Sequence, residues 1–254
     1  MVRVMRYFRA LTAADRSLHA NRHLGRLLAF VAGAANAGGF LAVQQYTSHM
    51  TGIVSEMADN IALGHFMLAL AGGVALIVFV TGAIVCAYMV NWARAAGLHS
   101  VYALPLMAES LLLIVFGLLG ASAQTDASAF VPVTVLLLCF MMGLQNAIIT
   151  KISRAEIRTT HVTGLVTDIG IAIGRLLHAK QQPAVHPEEE LAALRRRLSL
   201  HVSLVLHFFV GGVLGALGYK HVGFFVSIPL AGVLLMVSVF PVLDDIRDYI
   251  KGRE

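Results

Sequence analysis

Gly143-Leu-Gln-Asn-Ala147, a charged run from Lys151 to Arg158, then His161-Val-Thr-Gly164 and Asp168: this stretch decides the fold. It reads as an apolar helix that stops, a charged turn, and a short second helix carrying an acid. The chain builds the same thing once before, as Gly33-Ala-Ala-Asn-Ala37, His49-Met-Thr-Gly52 and Glu56. The pattern His-x-Thr-Gly-x-Val-[Ser/Thr]-[Glu/Asp] matches from His49 to Glu56 and from His161 to Asp168. Asn36 precedes Gly64 by 28 residues, and Asn146 precedes Gly174 by the same distance. An internal repeat of this kind constrains the architecture before any helix is drawn.

Composition says where such a repeat lives. Of the 254 residues 58% are hydrophobic and only 13% charged, about half the charge of a typical soluble domain, which is roughly 25%. Apolar runs of about 20 residues recur along the chain, the length that crosses a bilayer. The fold class expected is therefore an all-α polytopic membrane protein. Cys86 and Cys139 both lie in apolar runs, so neither a disulfide framework nor a zinc site is indicated. The net charge of +5 is distributed as a membrane protein distributes it, and no nucleic-acid partner is expected.

Residues 1–23 alternate Arg3, Arg6, Arg9, Arg16 and Arg22 with apolar residues, a basic amphipathic segment suited to a lipid surface. Clear spans are expected at about 24–45, 66–92, 100–121, 130–150, 198–218 and 222–242, with Gln124-Thr-Asp126 as a short polar loop. The segments 49–64 and 161–177 are shorter and interrupted by acids. Residues 179–197 are a polar excursion, opened by Pro187-Glu-Glu-Glu190 and closed by Arg195-Arg-Arg197, and 243–254 form a charged tail. If the two short segments turn back, the chain crosses six times, and 18 of the 19 Lys and Arg fall on one side, leaving only Lys220 on the other. If both cross, five basic residues lie on the wrong side. The positive-inside bias favours six spans and two re-entrant helices, with both termini cytoplasmic. Repeat 1 (24–121) and repeat 2 (130–242) then enter from opposite faces. Inverted repeats with interrupted helices point to a transporter-like site near the midplane.

Gly143-Leu-Gln-Asn-Ala147 with Arg158-Thr-Thr-His-Val-Thr-Gly164 and Asp168-Ile-Gly170 resembles the YoaK family of bacterial membrane proteins, and the first repeat is similar to its Gly-x-x-Asp-Ala and Met-Thr-Gly-Asn elements. The resemblance covers nearly the whole chain and implies a bacterial inner (plasma) membrane location. It implies little chemistry, because the family is itself a domain of unknown function. Asn36 stands where that pattern has Asp, and Ile53 where it has Asn after Met50-Thr-Gly52.

The residues at the breaks define a site to look for. Thr51-Gly52 and Thr163-Gly164 would let the chain turn while a hydroxyl caps the half-helix that follows. The freed N–H groups and positive dipole end would suit an anion or a polar oxygen. Asn36, His49, Gln145, Asn146 and His161 join these as expected substrate contacts. Glu56 and Asp168, at equivalent positions, are the expected ion-coupling carboxylates. The alternative for Asp168 is a structural ion pair with Arg158 or Arg154. Neither His49 nor His161 has a second His at the i,i+4 spacing of the His-Glu-x-x-His signature, so neither a metal nor another cofactor is expected. Glu109, alone in its span, is expected to be buried and hydrogen-bonded. Gly211, Gly215, Gly218 and Gly82 read as close helix packing, which would also serve a homodimer.

The function expected is a small transporter or channel for a small polar or anionic solute, not an enzyme. Two rivals are a non-transporting scaffold or sensor using 179–197 and the basic N-terminus, and a metal-dependent intramembrane enzyme using the His and acid residues.

Overall fold

The computed structural model describes residues 11–12, 18–122, 127–152, 160–181 and 187–251, and all of its regular structure is helical. The basic segment 1–23 lies mostly outside the described residues, as do Gln124-Thr-Asp126, Arg154 and Arg158. From Leu18 onward, eight α-helices follow in order among the described residues. They are α1 (Leu18–Val43), α2 (Met50–Ala62), α3 (Phe66–Ala95), α4 (Ala103–Ser122), α5 (Ala127–Ile152), α6 (Val162–Gln181), α7 (Glu188–Val222) and α8 (Ser227–Lys251). A 3-10 turn, Gly223–Val226, joins the last two.

Six stretches of described residues are long and apolar enough to cross a membrane. They are His19–Val43, Phe66–Ala95, Ala103–Gly120, Phe130–Ile152, Val162–Gln181 and Glu188–Arg247, the last containing both α7 and α8. The outward faces carry Leu63, Phe66, Met67, Ile77, Tyr88 and Phe209, all exposed and all at home in lipid. The core is a seam of fully buried Leu24, Leu28, Leu106, Leu113, Phe116, Met141, Leu144 and Ile148.

Two expectations about element boundaries are corrected. The second short segment does not end near 177: α6 runs 20 residues to Gln181. The polar stretch 179–197 is not a separate helix, because its second half is the opening of α7, a helix of 35 residues. Arg175 of α6 pairs with Glu190 of α7 at an exposed site between the two helices. At 1.5 Å per residue α7 is roughly 52 Å long, well beyond a hydrocarbon core of about 30 Å, and its charged first turns project from the bundle.

Packing follows the repeat. Helix α1 packs on α7 and its counterpart α5 packs on α3; α2 packs on α3 and α6 on α7; α1 meets α5, and α4 meets α8. Exchanging the halves maps these pairs onto one another, whereas the packing of α4 on α5 has no counterpart of similar extent among the described residues. Gln145 Nε2 donates to the Leu28 carbonyl at 3.3 Å, while Leu138 lies against Gly39, so α1 and α5 run antiparallel. Ser100 binds Asp245 and Ser110 binds the Ala231 carbonyl, so α4 and α8 are antiparallel too.

The two main crossings use one device. At the α1–α7 crossing Gly33 faces the Phe208 carbonyl and Gly211 faces the Phe30 carbonyl. At the α5–α3 crossing Gly143 faces the Phe79 carbonyl and Gly82 faces the Phe140 carbonyl. Each helix carries Phe-x-x-Gly, and each glycine admits the partner backbone where any Cβ would overlap it. Between helices that share an apolar medium, such close backbone contact is a principal source of attraction.

One end of the bundle gathers Arg22, Arg26, Arg94, Lys151, Arg175 and Lys180, together with Arg195, Arg196, Arg197 and Arg247; among the described residues Lys220 is the basic residue at the other. At the basic end buried Asp245 ties α8 to the α3–α4 turn. It accepts from the His99 and Ser100 amides, each at 3.0 Å, and from the Ser100 hydroxyl. Hydrogen bonds to a charged group contribute about 1.5–3 kcal/mol. Asp245→Ala is therefore expected to cost about 2 kcal/mol in detergent unfolding, with Asp245→Asn recovering part of it; an Asp245→Ala melt matching the wild type would remove Asp245 from this role.

Candidate functional site

After α1 the chain reverses. Gln44 adopts a left-handed φ of 56°, and the following residues lie back along α1. The Ser48 hydroxyl donates to Asn36 Oδ1 at 2.9 Å, seven residues before the end of the helix. By helical rise that is roughly 10 Å inside the α1 terminus. The second repeat repeats the arrangement: the Thr160 hydroxyl donates to Asn146 Oδ1, six residues before the end of α5. Each motif His is thus preceded by a hydroxyl hung on the Asn of the preceding helix. A carboxylate is not needed for this, which accounts physically for Asn36 at its position.

From there α2 and α6 run back toward the end of the bundle at which α1 and α5 finish. Helix α2 lies beside the opening of α3, with Met57 and Ile53 over Gly72, and its 13 residues span only about 20 Å. Helix α6 is long and apolar enough to cross by itself. It begins at the depth of Asn146, and its later turns meet the first turns of α7 through Arg175–Glu190.

The motif residues take different parts from those expected. Thr51 and Thr163 are not caps. The residue at the N-cap of α2 is His49, and no side-chain hydrogen bond caps that helix. Thr51 falls at the second helical position, inside the first turn and not at the N-cap. Gly52 and Gly164 do have a function: the His49 and His161 rings occupy the space that a Cβ there would fill. His-x-x-Gly is therefore a ring seated on a bare helix turn, once per repeat.

Asn36 and Asn146 are half-buried, and Asn146 Nδ2 also donates to the Met142 carbonyl at 2.8 Å. Gln145 is fully buried between α5 and α1, its Nε2 on Leu28 and its Oε1 without a partner among the described residues. It is a core cross-link. His49, Thr51, Glu56, His161 and Thr163 are exposed on their helices. Asp168 is half-exposed, with its Oδ2 3.9 Å from Arg197 and 3.9 Å from His201 on α7. Those are its basic neighbours among the described residues, whereas the expected partner Arg158 lies outside them.

Glu56, Gln45 and Asn60 line a cavity of about 470 Å³ with Met57, Gly72 and Pro132. It lies between α2, α3 and the opening of α5, and no α6 residue reaches it. Helices α2 and α6 do not pack on one another. Among the described residues the two repeat motifs thus lie apart, one at each break, and not around one shared cavity. Among the described residues no three His, Cys, Asp or Glu gather as metal ligands.

One polar residue departs in part from the sequence reading, and one polar cavity escaped it. Glu109 is fully buried, and neither carboxylate oxygen has a hydrogen-bond partner among the described residues, contrary to the expectation that it would be bonded. The reason is its stripe: Tyr102, Leu106, Leu113 and Phe116 share its face of α4 and offer it an apolar wall. The second feature is a cavity around Arg26, taken up below.

The architecture defines an all-helical, multi-pass membrane protein with two polar helix breaks. The chain belongs to the family of proteins of unknown function DUF1275, whose model matches residues 24–240; the YoaK family that its motifs resemble is a DUF1275 family. No curated protein and no solved structure matches it.

Proposed function

We propose that the protein is a small transporter or channel of the bacterial inner membrane, moving a small polar solute past the helix breaks, with both termini cytoplasmic. The observation that carries this reading is the pair of half-helices. Each begins well inside the bundle, each is hung on an Asn, and the two belong to repeats whose counterpart helices run antiparallel. Irregular backbone at such depth is tolerated where it lines a cavity, and the 470 Å³ cavity beside α2 supplies one. The antiparallel courses of α1 and α5 and of α4 and α8 support inverted repeats related by a pseudo-two-fold axis in the membrane plane. The gathering of basic residues at one end supports that end as cytoplasmic.

In this reading the first-turn amides of α2, at the positive end of its dipole, attract a solute oxygen. Glu56 and the amides of Gln45 and Asn60 receive its donors. Asp168 acts on the other break, where its attraction to Arg197 and His201 holds α6 against α7. Changes in that pairing bias which side is open.

Proteoliposome swelling against a panel of small polar and anionic solutes tests this. At least one solute class is expected to enter faster than in empty liposomes, and Glu56→Gln to slow it about tenfold. Asp168→Asn is expected to lower the rate by a smaller factor. Entry of every solute at the empty-liposome rate would sink the proposal, as would unchanged rates in both variants.

A further inference from the structure

A second cavity, of about 590 Å³, opens between α1, α7 and α8 near the basic end. Leu27, Phe30, Val233, Met236 and Val237 give it apolar walls, and its polar groups are Arg26, His23, His207 and Ser203. Among the described residues no carboxylate lines it.

Arg26 sits eight residues into α1, within a stretch long and apolar enough to cross the membrane. A basic residue inside a spanning helix is costly unless it snorkels or finds a partner. Snorkelling does not describe this one. Its Nε donates to the Ser203 hydroxyl on α7 at 2.8 Å, which draws the guanidinium sideways across the bundle. Ser203 is itself set by its neighbours: His207 Nδ1 donates to the Ser203 carbonyl at 2.7 Å. No acid among the described residues forms an ion pair with Arg26. The fork is therefore held by one of its five donors and presents the others to a cavity with basic and apolar walls. Guanidinium forks match phosphate and carboxylate oxygens two at a time.

We propose that this cavity is a binding site for an oxyanion borne on an apolar chain, with Arg26 gripping the phosphate or carboxylate and the α8 face receiving the chain. The site lies apart from both helix breaks, so it stands independently of the transport reading. An anionic phospholipid of the inner leaflet and a water-borne phosphate share the headgroup chemistry, and basic pockets between membrane helices on the cytoplasmic side are known lipid-headgroup sites.

The test is thermal unfolding of the full chain in nonionic detergent with dihexanoyl phosphatidic acid, and separately with inorganic phosphate. Phosphatidic acid is expected to raise the melting temperature with concentration, since a ligand that binds only the folded form stabilises it. Arg26→Gln is expected to weaken the apparent affinity at least tenfold, and Arg22→Gln, outside the cavity, to leave it within twofold. An equal response to inorganic phosphate, lost in Arg26→Gln, would support the site and assign it to a water-borne anion. If Arg26→Gln fails to fold, Ser203→Ala is the second variant, with a severalfold weakening expected from loss of the group that aims the fork. Stabilisation unchanged in whichever variant folds would overturn the proposal, as would no response of the wild type to either anion.

Discussion

Gly143→Val should abolish recovery of folded protein from detergent. At that position the new side chain would overlap the Phe79 carbonyl of α3, a backbone atom that cannot rotate away. The helices must separate at their closest approach, and the loss reaches the reciprocal contact of Gly82 with Phe140. Overpacking in an ordinary core costs about 1–3 kcal/mol, and a backbone-on-backbone crossing has less room to adjust. A loss of 3 kcal/mol or so would be a large part of a typical stability of about 5–15 kcal/mol. The same substitution at Gly33 should behave alike, because the crossing with Phe208 is its counterpart. Gly174→Ala is the control: nothing lies within 4 Å of a Cβ there, and helix propensity alone should make the change neutral or stabilising, by up to about 1 kcal/mol. Equal melts for Gly143→Val and Gly174→Ala would mean that the crossing is not the joint described here.

Glu109→Leu should make the protein more stable. The carboxylate is fully enclosed and has no hydrogen-bond partner among the described residues, whereas a leucine of similar size would meet the apolar stripe of Leu106, Leu113 and Phe116 on its own terms. Leaving a buried polar group unsatisfied costs about 1–3 kcal/mol, and the melt should rise by the equivalent. A residue retained at such a cost is a mark of function, so a parallel fall in solute entry would connect Glu109 to the transport path. A Glu109→Leu melt below wild type would show that the carboxyl is satisfied after all.

The sequence carried the spans and the repeat because both are local signals. Apolar runs report on lipid, and His-x-Thr-Gly-x-Val can be matched by eye. The re-entrant course was legible from the distribution of Arg and Lys, a whole-chain constraint that needs no contacts. What could not be read was decided by partners far away in sequence. Arg175 of α6 meets Glu190 of α7, and nothing in residues 161–177 announces that pairing. Thr51 and Thr163 suggested caps by residue type, but the ring of the His two residues earlier takes the position at the turn. Arg26 entered the charge count as one more cytoplasmic cation; its bond to Ser203, 177 residues away, gives it a site. The four Phe-x-x-Gly elements were visible but uninformative, since Phe and Gly are common in apolar helices and only packing pairs them.

The most direct test of the central claim is side-specific cysteine labelling in intact cells with a membrane-impermeant maleimide. Cys86 and Cys139 are fully buried and can stay, while Gln44→Cys, His65→Cys and Lys180→Cys are introduced singly at exposed positions. Two inverted repeats with re-entrant α2 and α6 predict that positions 44 and 65 label from the outside, and that 180 labels only once the membrane is opened. Labelling of 44 and 65 from opposite sides, or of 65 and 180 from the same side, would contradict the account.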